Sequence, residues 1–314
     1  MESIACWSVA EWEEDGFDAV HSRRLGYDGD DKLVCLISQG ESVAVSVALT
    51  NRFLRRFVAA FSVVALVHNL FFPYFISAQE DDSLKKAVRL LVEAEKLFED
   101  DKFKEACKLA EKAAEIGKKS PGVLQGSAEI LYRSGESKKS VPLFGKVVEM
   151  VPESAARNWQ RGIALCSVGD FKRGAEQFKI HHDVNPDDVE NSAWYFLCVA
   201  KTDGIEAAKK TVIPSRGDGR EPMMSVLQML KGELEPDGVM KAALKNTKGA
   251  TARRRAQFYA DLYIGLYHDS LGRPKLAAKH LKQSLGYGDS GYMVDVARVY
   301  LADRFPVKKG DTRP

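Results

Sequence analysis

The stretch PGVLQGSAEILYRSGESKKSVPLFGKVVEMVPESAARNWQRGIALCSVGDFKRGAEQFKIHHDVNP, residues 121–186, repeats its pattern of residue types at a spacing of 34 residues. Small residues recur where one helix must approach another closely, and Phe recurs where the second helix of a pair must fill the gap. Gly recurs where the chain must turn, and Pro recurs where the second helix must end. The matched positions are Ala128 and Gly162, Leu131 and Leu165, Gly135 and Gly169, Phe144 and Phe178, and Pro152 and Pro186. This spacing predicts stacked pairs of antiparallel helices that bury their apolar faces against one another.

The same frame extends to both sides of this stretch. An earlier copy is predicted in helices near 84–99 and 103–117, and a later one runs from Tyr259 to Ser284. Between them, a unit with helices at 191–201 and 205–211 is incomplete, and 214–222 breaks the register before a degenerate hairpin at 223–231 and 236–245. The last helix, about 292–302, is expected to cap the stack. The predicted fold class is all-α: an α-solenoid of antiparallel hairpins over 84–303, with about five hairpins plus a C-terminal capping helix, followed by a tail at 304–314.

A nearly uncharged run, Phe57–Ser77, precedes the solenoid. Arginines stand before it at positions 52, 55 and 56, and acidic residues follow it at 80–82. Basic before and acidic after is the layout of an export signal. We therefore expect residues 51–78 to be a signal peptide or a membrane anchor, with the solenoid outside the cytoplasmic membrane. Cleavage near Ser77 and Ala78, an uncleaved anchor and a buried soluble helix remain open.

Residues 1–50 show no repeat phase. They combine Trp7, Trp12 and an acidic cluster with short apolar runs. Because an export signal normally begins within a few residues of the start, we interpret this stretch as disordered or as an over-extended gene start.

Composition and charge exclude few classes of protein. The net charge of +2 argues against a dedicated nucleic-acid surface, and five Cys are too few and too scattered for a disulfide framework. Cys107, Cys166 and Cys198 fall on apolar helical positions, which favours a role in the core. His181 and His182 are adjacent on a helix and point about 100° apart, so a metal site there is not expected. No motif predicts a cofactor or catalytic residues.

The chain resembles the tetratricopeptide family over about 84–303. Within it, the order of three segments is most similar to bacterial envelope adaptors of the new lipoprotein I (NlpI) type. These segments are Arg161–Leu165 with Asn185–Asp188, then Trp194–Leu197 opening a truncated unit, then Tyr263–Tyr267 with Leu271–Gly272. The resemblance implies an exported, non-enzymatic scaffold that organises envelope enzymes, including peptidoglycan hydrolases and a processing protease. Some members dimerise, so a homodimer is open. The chain departs from these adaptors in having no Cys directly at the end of the hydrophobic run, where a lipid anchor would be attached.

In tetratricopeptide stacks the first helix of each hairpin lines the concave face. Carried over to this chain, that rule predicts a groove with aromatic anchors for an extended peptide or a partner helix. The residues predicted to contact a protein or peptide partner are Gln125, Glu129, Tyr132, Arg133, Trp159, Ile163, Tyr259, Leu262 and Asp269. Earlier groove positions are Leu91, Glu95 and Phe98. Each aromatic at helical spacing has the alternative role of packing between units.

Two other functions remain open from the residues. One is an enzyme or ligand-binding protein whose site lies in the irregular segment 203–246. The other is an intracellular adaptor of the same fold, if 57–77 is not an export signal. A run of three arginines, Arg253–Arg255, has the plain interpretation of a solvated face.

Overall fold

The computed structural model describes residues 25–28, 32–35 and 78–306 of the 314-residue chain. The chain divides into two compact units, residues 1–81 and 82–314. In the first, β1 (Leu25–Asp28) pairs antiparallel with β2 (Lys32–Cys35), and Leu25 lies opposite Cys35. Most of the extension 1–50 and the hydrophobic run 57–77 lie outside the described residues, so their predicted roles stay predictions. In the part of the chain that is described, we find no helix long and apolar enough to span a membrane.

Residues 78–306 are helical almost throughout, which confirms the predicted all-α class. The helices are α1 (Ala78–Glu99), α2 (Phe103–Ile116), α3 (Pro121–Arg133), α4 (Ser137–Met150), a short 3-10 helix (Pro152–Arg157), α5 (Trp159–Ser167), α6 (Phe171–His182), α7 (Val189–Thr202), α8 (Ile205–Lys210), α9 (Met223–Lys231), α10 (Pro236–Asn246), α11 (Ala250–Ser270), α12 (Pro274–Leu285) and α13 (Tyr292–Arg304). The pairs α1/α2, α3/α4, α5/α6, α9/α10 and α11/α12 are hairpins. The incomplete unit is α7 with α8, which has only six residues.

Each hairpin turn uses the same backbone device. Gly135, Gly169 and Gly272 have φ angles of 91°, 83° and 66°. The residue after each Gly donates its N–H to the carbonyl five residues earlier, as in Glu136 N to Leu131 O at 2.8 Å. These are the hydrogen bonds that close a helix on a left-handed residue. The repeat frame therefore predicted these turns correctly.

Each helix pair packs on the next, and the buried residues form two main clusters, one in α1–α3 and a larger one that extends from α3 to α13. Phe144, Phe178 and Trp194 are among the largest buried side chains of the larger cluster. The rings of Phe178 and Trp194 stack at 6.2 Å. The close approach predicted at Gly162 is present: a Cβ there would lie 2.7 Å from Phe178 Cζ. Cys107, Cys166 and Cys198 are free thiols buried in the core, as predicted, and burial raises the pKa of Cys166.

The helix α13 does more than cap the end of the stack. It packs on α12, as a cap would, and it also contacts α3 and α5, the first helices of the second and third hairpins. The sequence is therefore folded so that its last described helix returns to the inner side of early hairpins.

Candidate functional site

The predicted groove residues lie on the first helices of three hairpins. Gln125, Glu129, Tyr132 and Arg133 are on α3, Trp159 and Ile163 are on α5, and Tyr259, Leu262 and Asp269 are on α11. We call the surface formed by α3, α5, α7 and the C-terminal end of α11 the inner groove. The structure shows that α13 occupies it.

Charged contacts join α13 to α3 at one end of the inner groove. Arg133 Nε donates to Asp295 Oδ2 at 2.9 Å, and Arg133 Nη1 donates to Glu95 Oε1 of α1 at 2.8 Å. Arg298 Nη2 donates to the backbone carbonyl of Arg133 at 2.7 Å. The side chains of Arg133 and Asp295 are only 19% and 16% exposed, so this pair is largely shielded from solvent. The neighbouring carboxylates raise the pKa of Arg133 against the opposing effect of its burial.

Aromatic rings line the next part of the contact. The Tyr292 ring stacks on Tyr132 at 6.5 Å and meets the edge of Trp159 at 5.1 Å. Further along α13, the Tyr300 ring packs edge-on against Trp194 of α7 at 5.5 Å. Edge and offset geometries of this kind are the favourable ones for aromatic pairs.

A buried carboxylate anchors the far end. Tyr300 Oη donates to Asp269 Oδ2 at 2.6 Å, and Lys201 Nζ of α7 donates to the backbone carbonyl of Asp269 at 2.7 Å and also pairs with its carboxylate. Asp269 is 4% exposed. Lys201 balances its charge, so the carboxylate is both paired and hydrogen-bonded, as a buried charge requires.

The structure divides the predicted residues into two groups. Tyr132, Ile163, Leu262 and Asp269 are buried, so none of them is open to a partner while α13 is in place. They are buried because α13 fills the inner groove and because neighbouring hairpins pack against each other. Packing between units is the alternative role given above for aromatic residues at helical spacing. Half-buried positions are Gln125, Glu129, Arg133, Trp159 and Tyr259. Their role as partner contacts stays a prediction.

A polar chain runs along the edge of the inner groove between α3 and α5. Asn158 Nδ2 donates to Gln125 Oε1 at 2.9 Å, and Gln125 Nε2 donates to Glu129 Oε1 at 2.7 Å. Asn158 also accepts from the backbone N–H of Arg161 and so caps α5. Burial raises the pKa of Glu129, and the hydrogen bond from Gln125 partly opposes that shift.

Tyr259 belongs to a different cluster, which sequence reasoning missed. Its ring stacks on Tyr263 at 6.2 Å, and Tyr263 Oη donates to Glu190 at the start of α7. Arg220 pairs with Glu190 and also with Asp188 and Asp218. Burial raises the pKa of Glu190 to about 7, although the Arg220 charge opposes this shift. Residues 188–190 and 218–220 come together only in three dimensions, so no local motif could have revealed the cluster.

This Arg220 cluster is the feature closest to the alternative site predicted in 203–246. One oxygen of Glu190 accepts from Arg220 and the other accepts from Tyr263. Asp218 accepts from Arg220 and from the backbone N–H of Val189 at 3.2 Å. Since its members satisfy one another, the arrangement ties the 214–222 segment to α7 and α11. Among the described residues, no group of three His, Cys, Asp or Glu side chains is placed to hold a metal ion.

A shallow cleft lies away from the inner groove, between α2, α3 and α4. Its volume is about 330 Å³, and Leu131, Leu143 and Ala114 line it together with the charged residues Glu111, Glu115, Lys118, Lys139 and Lys146. Because acidic and basic side chains are mixed around a small apolar floor, this cleft does not indicate a particular class of ligand.

Comparison with known proteins gives the following similarities. No family model matches the chain, and no curated protein matches it. A tetratricopeptide repeat protein from Parabacteroides merdae is 13% identical with a TM-score of 0.44, covering 68% of this chain and 84% of its own. MamA from Desulfovibrio magneticus RS-1 is 15% identical with a TM-score of 0.39, covering 65% and 98%. PilF of Pseudomonas aeruginosa is 12% identical with a TM-score of 0.35, covering 70% and 97%.

The turns, the core and the 34-residue frame define the class of protein from this chain's own contacts. It is a tetratricopeptide-like helical solenoid. Its particular feature is an inner groove that already holds one of its own helices.

Proposed function

We propose that this chain is a non-enzymatic scaffold that binds protein partners in its inner groove, outside the cytoplasmic membrane. The observation that carries the proposal is the seating of α13, because three first helices and the end of α11 supply contacts to one 13-residue helix. A surface that satisfies a helix in this way has the chemistry needed to recognise one. Helix-in-groove recognition is a common mode of peptide binding.

The residues of the inner groove suit this role. Trp159 and Tyr132 offer rings, Arg133 offers a shielded cation, and Asp269 offers a buried acceptor. Binding energy in protein interfaces concentrates in Trp, Tyr and Arg side chains surrounded by contacts that exclude water. The groove has three such residues within one patch.

The location and partner class are proposed from the sequence. The charge layout around 57–77 supports export, and the order of the three segments that resemble NlpI-type adaptors supports a role among envelope proteins. We propose envelope enzymes as the partners, with peptidoglycan hydrolases and a processing protease as the first candidates.

Affinity capture from an envelope extract tests the groove. Trp159→Ala removes a large side chain from the inner groove, and we expect it to reduce recovery of specific partners at least about tenfold. Ile180→Ala is the matched control, since it also removes an apolar side chain but from an exposed position on α6. Equal loss in both variants, or no loss in either, would reject the groove as the binding surface.

Cell fractionation with N-terminal sequencing of the native protein tests the location. We expect the protein in the envelope fraction, with a mature start near residue 78 if the signal is cleaved. Recovery in the cytosol would reject export. A product that carries residues 1–48 would reject the interpretation of that stretch as untranslated.

A further inference from the structure

We infer that α13 is a displaceable occupant of the inner groove, and that the external ligand is a helix carrying the same contact residues. This inference rests on the proposed scaffold function and adds the chemistry of the ligand to it. The ligand has an aromatic residue, an acidic residue three positions later, a basic residue three positions after that, and a second aromatic residue two positions further on. On α13 these are Tyr292, Asp295, Arg298 and Tyr300.

Each of these four positions meets a specific partner, three of them in the inner groove and one, Phe103, on α2. Tyr292 contacts the rings of Tyr132 and Trp159, and Asp295 pairs with Arg133. The remaining two contacts are of different kinds. The Arg298 guanidinium lies 4.8 Å from the centre of the Phe103 ring, and Tyr300 donates to Asp269. A ligand helix that lacks the acidic residue would leave the shielded Arg133 cation with Glu95 as its one carboxylate partner among the described residues.

The segment that joins α13 to α12 is short and rich in Gly. The segment between α12 and α13, residues 286–291, contains three Gly, and Gly288 and Gly291 have φ angles of 69° and 121°. The contacts that stack consecutive hairpins, such as those of α2 with α3, α4 with α5 and α6 with α7, do not involve α13. Release of α13 therefore leaves the hairpin stack itself connected.

The fit of α13 is also incomplete. Tyr292 Oη, Arg304 Nε and Trp194 Nε1 are buried at or beside this interface without a hydrogen-bond partner among the described residues. Buried polar groups are normally paired, and each unpaired one weakens the association that buries it. A ligand helix that supplies a hydrogen-bond acceptor to Trp194 Nε1 would bind more favourably than α13 at that position.

The test uses a fluorescent peptide of residues 289–306 as the probe, with binding followed by anisotropy. A helix on a short linker acts at an effective concentration on the order of millimolar, so the unaltered full chain should take up no probe at micromolar concentration. Asp295→Arg in the full chain places two cations together and weakens the seating of α13, while the inner groove keeps Arg133. We expect this variant to bind the probe at least about tenfold more tightly than the unaltered chain.

Arg133→Asp added to Asp295→Arg is the control. It restores opposite charges within the chain and removes the cation that the probe needs, so probe binding should be lost again. Equal binding by the unaltered chain and the Asp295→Arg variant, or no binding by a variant with native circular dichroism, would overturn the inference. The probe result does not depend on partner capture from the extract. The proposed scaffold function and the displacement of α13 can therefore be rejected independently.

If Asp295→Arg does not fold, hydrogen exchange on the unaltered full chain tests whether α13 can leave the inner groove. We expect amides of 292–304 to exchange through a local opening, faster than those at the centre of α11, residues 258–266. Exchange of both segments only through the same global unfolding would overturn the inference.

Discussion

Asp101 has the backbone conformation that the later hairpins give to Gly. Its φ is 59°, it lies 34 residues before Gly135, and Lys102 N donates to Leu97 O at 2.8 Å as in the other turns. A residue with a Cβ is strained in the left-handed region, although Asp tolerates it better than most. The first hairpin therefore keeps the turn of the repeat without its preferred residue.

Asp101→Gly should relieve that strain. We expect the free energy of unfolding to rise by about 0.5 kcal/mol, because the lost strain slightly exceeds the added chain entropy of Gly in the unfolded state. Urea denaturation measures the difference. Gly135→Ala is the converse control and should lower stability by about 1 kcal/mol. A lower stability for Asp101→Gly would show that the turn is not strained.

In Gly162→Ala, a gain in helix propensity competes with a loss of stability from overpacking in the core. Ala in a helix is favoured over Gly by about 1 kcal/mol, but the new Cβ would lie 2.7 Å from Phe178 Cζ, and that ring is held by Trp194. Because overpacking costs about 1–3 kcal/mol, we expect a net loss of stability on thermal unfolding. Gly145→Ala, on α4, has no atom within 4 Å of its new Cβ and should be stabilising. Similar gains for both would contradict the proposed close approach.

At the element scale, the last full hairpin joins α11 and α12 through a polar cluster. His280 Nδ1 lies 2.6 Å from Asp261 Oδ1, and Tyr287 Oη donates to Asp261 Oδ2 at 2.7 Å. The His268 ring stacks on His280 at 5.3 Å. Burial, the neighbouring His280 and Arg273 lower the pKa of His268 to about 4, from an ordinary value of 6.5.

This shift predicts acid sensitivity at the α11–α12 contact. Between pH 6.5 and 4 the unfolded chain takes up a proton at His268 that the folded chain does not, so stability is lost as the pH falls. Glu190 acts with the opposite sign. Its folded pKa of about 7 lies above the ordinary 4.5, so its contribution is present at low pH and is lost as the pH rises through 7.

Comparison of the unaltered chain with His268→Phe isolates the first effect. We expect the variant to lose less thermal stability between pH 6.5 and 4, since the Glu190 contribution is common to both proteins. Differential scanning calorimetry across that range measures the slopes. Identical slopes would show that His268 does not bind protons differently in the folded and unfolded states.

The elements also show what could be predicted from the sequence. Gly135, Gly169 and Gly272 recur at positions where a helix must close, so periodicity located the turns and the hairpins between them. The contact between Arg133 and Asp295 joins residues far apart along the chain and has no periodic signal. The cluster around Arg220 forms across a break in the repeat for the same reason. The turns and hairpins depend on residues close together in the chain and were therefore predictable. The occupant of the inner groove depends on residues far apart in the chain and was not.

At the scale of the whole solenoid, the central claim is that α13 returns from the last hairpin to the second and third. Ser137 Oγ at the start of α4 donates to Asp303 Oδ2 near the end of α13 at 2.6 Å. This contact spans 166 positions of the chain. It is the place where the return of α13 can be measured most directly.

That measurement is a cross-link between Ser137→Cys and Asp303→Cys, in a chain whose Cys6 and Cys35 are replaced by Ser. Cys107, Cys166 and Cys198 are buried, so they should react slowly with a short thiol–thiol reagent under native conditions. We predict rapid cross-linking within one chain, independent of protein concentration and lost in urea. Absence of the cross-link in the folded protein, or formation only between two chains, would contradict a groove filled by the chain's own helix.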